Sequence, residues 1–86
     1  MFKIKISKQL DKKFEKIGKK NRNLLSIIDK KVSQILNNPY HFKPLKSNLK
    51  GIRRVHINNH FVLTYEIDEK NKEIKLLDYE HHDKIY

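Results

Sequence analysis

Arg54 and His56 stand two positions apart in residues 49–57, a stretch whose side chains alternate in polarity. Because successive side chains of a β-strand point to opposite faces, Val55 and Ile57 should face a core, and Arg54 and His56 should project together from the other face. A guanidinium binds a phosphate through charge-assisted hydrogen bonds, and an imidazole exchanges a proton near neutral pH. The pair therefore suits chemistry on a phosphate, and the alternative is a basic, solvated strand face with no chemistry.

The tail adds two further residues of this kind, His82 and Tyr86. With Arg54 and His56 they form a set that can cleave RNA without a metal ion. Attack by the ribose 2′-hydroxyl on its own phosphate requires one group to take a proton, one to give a proton to the leaving 5′ oxygen, and a cation to stabilise the added charge. Three of these residues, taken singly, have a structural alternative. His56 would be an exposed strand histidine, His82 a residue of the tail, and Tyr86 a terminal aromatic residue packed on the sheet.

Five histidines raise the question of a metal site: His41, His56, His60, His81 and His82. A transition-metal site needs several converging N, S or O ligands. The chain has no cysteine and no HxH or HExxH motif. It also has only two glycines, neither in a glycine-rich phosphate loop. The sequence therefore predicts neither a metal nor another cofactor.

The 86 residues predict one small domain, residues 1–86, and their formal net charge of +10 is large for this length. Such a charge favours polyanionic partners, either nucleic acid or an acidic protein. The absence of cysteine fits a reducing cytosol, and no apolar run reaches membrane-spanning length, so we expect a cytoplasmic protein that does not enter a membrane.

The elements that must position these residues can be read from the hydrophobic pattern. Residues 1–6 alternate as a strand, and Ser7 is suited to cap a first helix for which Gly18 is a plausible end. A second apolar stripe runs from Leu24 to Leu36, with Asn21 or Asn23 as its cap. The short connection predicts an antiparallel helical hairpin.

Three strands follow: residues 49–57, 61–67 and 73–79, joined by polar turns. Apolar parity switches between Leu76 and Leu77, which predicts either a strand buried on two sides or a bulge. The predicted fold is therefore α+β, in the order β-α-α-β-β-β. The helical hairpin packs on one face of a small antiparallel sheet, and Arg54 and His56 are carried on the other.

This order, the segments Leu49-Lys50-Gly51, Arg54-Val55-His56 and 61–67, and the tail from His82 to Tyr86 resemble the RelE/ParE superfamily of toxins. The resemblance covers nearly the whole chain and is nearest to the YafQ-like and RelE-like messenger-RNA endonucleases. It implies a microbial-ribonuclease-like fold and ribosome-dependent cleavage of messenger RNA. It also implies a cognate acidic antitoxin that binds and silences the toxin in a hetero-oligomer.

The resemblance assigns roles residue by residue. His56 lies where the YafQ branch has a catalytic histidine, and His82 and Tyr86 match the histidine and the aromatic residue of its tail. Arg54 lies where many members carry Lys or Arg. The implied catalytic set is therefore His56, His82, Arg54 and Tyr86, with the histidines transferring protons and Arg54 on the phosphate.

Three other positions differ from the family pattern. Lys43 lies where the YafQ branch has another histidine, and His60 lies where it has an aspartate. Val62 lies where many RelE-like toxins carry an arginine that holds the scissile phosphate. Phosphate binding must then come from Arg54 or from the lysine-rich loop. The residues predicted to hold an RNA backbone by their charge are Lys43, Lys46, Lys50, Arg53, His60 and Lys84.

Two other functions remain open at this point. A ParE-like toxin of the same fold would inhibit DNA gyrase without catalysing a reaction, although such members usually lack the catalytic set. A basic RNA-binding module would use the charge alone.

Overall fold

The computed structural model describes residues 1–44 and 51–81 of the chain. Its elements are β1 (Lys3–Ile6), α1 (Lys8–Lys20), α2 (Arg22–Asn37), β2 (Ile52–Ile57), β3 (Phe61–Asp68) and β4 (Glu73–His81). The predicted α+β class and the order β-α-α-β-β-β are confirmed. No helix in these residues is long and apolar enough to cross a membrane.

The strands form one sheet in the order β1-β4-β3-β2. β2, β3 and β4 pair antiparallel as the predicted meander, whereas β1 pairs parallel to β4. The sheet is therefore mixed, which corrects the prediction of a purely antiparallel one. β2 and β4 run in the same direction because the chain reverses once between β2 and β3 and again between β3 and β4. Since β1 is parallel to β4, the chain also enters β2 in the direction in which it left β1.

Side-chain caps define the two helices. The Ser7 hydroxyl accepts a hydrogen bond from the Leu10 N–H at 3.1 Å, and the Asn21 side chain accepts one from the Leu24 N–H at 3.0 Å. Gly18 does not end α1, contrary to the prediction, because the helix continues to Lys20. A Cβ at Gly18 would lie 2.7 Å from Leu25 Cδ2, so this glycine permits the close approach of the two helices.

The helical hairpin covers one face of the sheet and encloses the core. The buried residues of this hydrophobic core are Leu10, Ile28 and Ile35 from the helices and Val55, Ile57, Leu63, Tyr65, Ile74, Leu76 and Tyr79 from the strands. On β2 the burial alternates as predicted, because Val55 and Ile57 are buried while His56 is exposed.

A bulge in β4 explains the change of parity noticed in the sequence. The β3–β4 register shifts between Thr64 and Tyr65, which pair with Asp78 and Leu76, so that Leu77 has no partner on β3. Leu77 is consequently 40% exposed while Leu76 is buried.

β1 covers only the first part of β4, since it pairs with Glu73 to Leu76. Beyond Leu76, α1 lies beside this edge of β4. The Lys13 ammonium donates to the Tyr79 carbonyl at 2.7 Å and to the Glu80 carboxylate at 2.8 Å. A lysine of α1 thus occupies an edge that no described strand pairs with.

Candidate active site

A cavity of about 510 Å³ opens at the outer edge of β2. It is lined by residues from α2, from the loop after α2 and from β2: Lys31, His41, Phe42, Lys43, Arg54, Val55 and His56. The structure therefore brings together Arg54, His56 and Lys43, three of the residues that the sequence predicted. These seven lining residues include three permanent cations, two imidazoles and no carboxylate.

Backbone and side-chain hydrogen bonds join Arg54 to the loop before β2. Its N–H donates to the Lys43 carbonyl at 3.1 Å, and its Nη1 donates to the Pro44 carbonyl at 2.8 Å. Arg54 as a residue is half-buried, and the contact of its guanidinium with a carbonyl restricts the orientation of that group. Lys43 and Arg54 are thus adjacent because the loop pairs with the strand edge.

Arg53 lies on the face of β2 opposite Arg54, and from that face it binds the loop that follows α2. Its Nη1 donates to the Phe42 carbonyl at 2.7 Å, and its guanidinium lies 5.2 Å from the centre of the Tyr40 ring. Arg53 does not line the cavity. Its predicted contact with RNA stays a prediction, and its visible role is to hold residues 40–42 against β2.

His60 lies in the turn at the far end of the β2–β3 hairpin and does not line the cavity. Its ring is nearly parallel to that of His81, with an interplanar angle of 24° and a centroid distance of 6.4 Å. Both histidines are exposed. The structure therefore groups His60 with His81 and not with Arg54 and His56, and its predicted RNA contact stays a prediction.

Val62 pairs with His56 across β2 and β3, so the two side chains share a face of the sheet. Val62 is fully buried. This position, where many RelE-like toxins are expected to carry an arginine, is closed to a phosphate. The cationic groups of the cavity come instead from β2, the loop and α2.

Several predicted site residues lie outside the described residues. They are His82 and Tyr86 of the catalytic set, and Lys46, Lys50 and Lys84 of the RNA-binding set. Their roles stay predictions.

Two cavity residues, Lys31 and His41, had no role in the site predicted from the sequence. Lys31 had a recognisable signal, because it follows Ile28 by three positions and precedes Ile35 by four, on the buried side of α2. A lysine within an apolar stripe indicates that a positive charge is needed at that position. His41 had no such signal, since its place depends on how the loop folds back.

The described histidines and carboxylates form no group that could hold a metal ion: within residues 1–44 and 51–81, no three His, Cys, Asp or Glu side chains converge. The chemistry visible in the cavity is that of an anion site with proton-transfer groups.

Comparison with known proteins extends over the whole chain. The family model for the ParE toxin of the type II toxin–antitoxin system parDE matches residues 4–86. An uncharacterised protein of Methanosarcina mazei is 50% identical over 86 residues, which is the full length of both chains. A Methanocaldococcus jannaschii protein that carries the name toxin RelE4 is 42% identical over 86 residues, covering all of this chain and 92% of that protein.

Solved structures of the same fold include the YoeB–YefM complex from Staphylococcus aureus. The matched chain is 24% identical with a TM-score of 0.77, and the match covers 95% of this chain and 98% of that one. At this identity the likeness establishes the fold alone.

Proposed function

This chain belongs to the ParE toxin family, within the RelE/ParE superfamily of type II toxin–antitoxin systems, and we propose that it is a toxin that cleaves messenger RNA on the ribosome. The observation that carries this proposal is the cavity at the edge of β2, which Lys43, Arg54 and His56 line together. Such a site attracts a phosphodiester and offers it a proton-transfer group.

The proposed reaction uses the RNA's own nucleophile. The 2′-hydroxyl loses its proton and attacks the adjacent phosphorus, the bond from phosphorus to the 5′ oxygen breaks, and that oxygen takes up a proton. The products are a 2′,3′-cyclic phosphate and a free 5′-hydroxyl. Arg54 stabilises the charge on the phosphate, and His56 transfers one of the two protons. His82, the second proton-transfer group predicted from the sequence, and Tyr86, predicted to orient the substrate, lie outside the described residues and stay predictions.

The proposal includes an acidic antitoxin as partner in a hetero-oligomer. The YoeB neighbour was solved as a complex with YefM. The net charge of +10 attracts polyanions, and an acidic antitoxin would be one of them. Since the proposed substrate is messenger RNA on the ribosome, the proposed compartment is the cytoplasm.

A second candidate function is inhibition of DNA gyrase without catalysis. It is favoured by the match to the ParE toxin family model and by the buried Val62 at the arginine position. This alternative gives no role to the two histidines of the cavity, His41 and His56.

Mapping RNA ends after induced expression separates these functions. The proposal expects new 5′-hydroxyl ends at positions in phase with codons, on translated messages only. DNA breaks without such ends would replace it with gyrase inhibition. Growth arrest with neither would leave a basic RNA-binding module.

A further inference from the structure

Residues 38–42, at the start of the loop after α2, are held in place by hydrogen bonds. The Pro39 carbonyl accepts from the Tyr65 hydroxyl at 2.6 Å, and the Phe42 carbonyl accepts from Arg53 at 2.7 Å. Between these points, the His41 N–H donates to the Asn38 carbonyl at 3.1 Å. His41 therefore projects from a segment anchored on both sides, which is the condition for a side chain to keep a defined position in a site.

Phe42 links His41 to α2. Its ring packs edge-on against the His41 ring, with centroids 5.0 Å apart and an interplanar angle of 79°. The Lys31 ammonium lies 5.9 Å from the centre of the same ring. Phe42 also packs against the hydrophobic core. One anchored aromatic ring thus contacts both His41 and Lys31 at the wall of the cavity.

Lys31 is placed where an apolar residue would be expected. Ile28 and Ile35, on the same side of α2, are buried, while Lys31 is half-buried. A lysine at such a position packs its stem along apolar surface and extends its ammonium to an opening. The available opening is the cavity that Lys31 lines with Arg54 and Lys43.

From these contacts we propose that His41 is the second proton-transfer group of the site and that Lys31 is a phosphate-binding cation supplied by α2. The inference rests on the proposed ribonuclease function and deepens it. His41 and His56 would act on opposite sides of the reaction. One takes the proton of the 2′-hydroxyl as the oxygen–phosphorus bond forms, and the other gives a proton to the 5′ oxygen as its bond to phosphorus breaks. Lys31 supplies a positive charge in place of the arginine that many RelE-like toxins are expected to carry at the position of Val62.

A binding experiment tests the site without requiring cleavage. Inorganic phosphate is titrated into the intact, isotopically labelled protein while the imidazole C–H resonances are followed by NMR. The resonances of His41 and His56 should shift together with one apparent Kd. Lys31→Gln should weaken that binding, Lys31→Arg should retain it, and Lys30→Gln, an exposed neighbour on α2, should leave it unchanged. A shift of His56 without His41, or of neither, would overturn the inference.

A cleavage experiment tests the role of His41. In a programmed translation extract, His41→Ala should lower the cleavage rate by about 10²–10⁴-fold, and added imidazole should restore part of it. A loss caused only by altered loop packing would not respond to imidazole. Wild-type cleavage with an equally active His41→Ala would reject the inference and keep the proposed function. A wild type that binds phosphate at His41 but cleaves no RNA would reject the ribonuclease function instead, and with it the catalytic part of this inference.

Discussion

Two buried tyrosines on neighbouring strands differ in how their hydroxyl groups are satisfied. Tyr65 donates to the Pro39 carbonyl at 2.6 Å. Tyr79 is equally buried, but its hydroxyl has no hydrogen-bond partner among the described residues. Burial raises the pKa of both phenols, that of Tyr65 to about 12. One hydroxyl therefore contributes to stability, and the other carries an uncompensated desolvation cost.

Removing these hydroxyls should change stability in opposite directions. Tyr79→Phe should raise the free energy of unfolding by about 1 kcal/mol, because an unpaired polar group leaves the interior. Tyr65→Phe should lower it by about 1 kcal/mol, because the buried Pro39 carbonyl loses its donor. Urea denaturation of the two variants measures both effects. Equal destabilisation by the two changes would mean that the Tyr79 hydroxyl has a partner in solution.

Single substitutions also test the catalytic residues that were predicted from the sequence. His56→Ala should lower cleavage by about 10²–10⁴-fold, because it removes a proton-transfer group, and should leave ribosome binding intact. His82→Ala should do the same if His82, and not His41, is the second proton-transfer group. Tyr86→Phe should be milder than Tyr86→Ala if the ring stacks on the substrate. The measurement is the cleavage rate on programmed ribosomes at saturating toxin. A double His56→Ala/His82→Ala variant that still cleaves at the wild-type rate would leave catalysis to Arg54 and the lysines.

At the scale of elements, the contact between α1 and α2 depends on the missing side chain of Gly18. Alanine in a helix is favoured over glycine by about 1 kcal/mol. Here a Cβ would lie 2.7 Å from Leu25 Cδ2, so part of that gain is lost in moving the leucine. The close packing of the hairpin thus opposes the intrinsic preference of the helix.

A double-mutant cycle separates these two contributions. Gly18→Ala should stabilise the Leu25→Ala background by about 1 kcal/mol, the full helix preference, and the wild type by less. Thermal or urea denaturation of the four proteins gives the coupling free energy. Identical effects of Gly18→Ala in both backgrounds would contradict the close approach described for these helices.

Much of the secondary structure was predictable because it depends on the local pattern of apolar, polar and capping residues. Alternation located the strands and Ser7 located the start of α1, whereas the sequence left Asn21 and Asn23 open as caps of α2 and left a bulge or a two-sided strand open at Leu76 and Leu77. The pairing of β1 with β4 was not predictable, since strand direction depends on long connections. The place of His41 was not predictable either, because its loop is held through backbone carbonyls, which have no signature in the sequence.

At the scale of the whole molecule, the positive charge extends well beyond the cavity. α1 alone carries six lysines and two acidic residues, on the side of the sheet away from β2. An acidic partner would thus be attracted over much of the surface, and charge–charge attraction chiefly accelerates association.

Association with the proposed antitoxin should therefore slow markedly as salt rises, because mobile ions screen exposed charges beyond roughly 10 Å at 0.1 M. Stopped-flow measurement over a range of salt concentrations gives the dependence. A variant with Lys12 and Lys16 changed to Gln serves as a test of α1, since both are exposed. An on-rate that does not respond to salt in the wild type would remove electrostatic steering from this account.

The edge of β4 beyond Leu76, with which no described strand pairs, has a consequence for the chain when it is alone. An unpaired strand edge is a template on which a second copy can add its own strand, and such pairing leads to aggregation. Lys13 blocks this route by donating to the Tyr79 carbonyl and by placing a charge there. Neutralising this lysine should therefore make the edge of β4 more prone to pair with a second copy, and it should leave the cavity unaltered, since Lys13 does not line it.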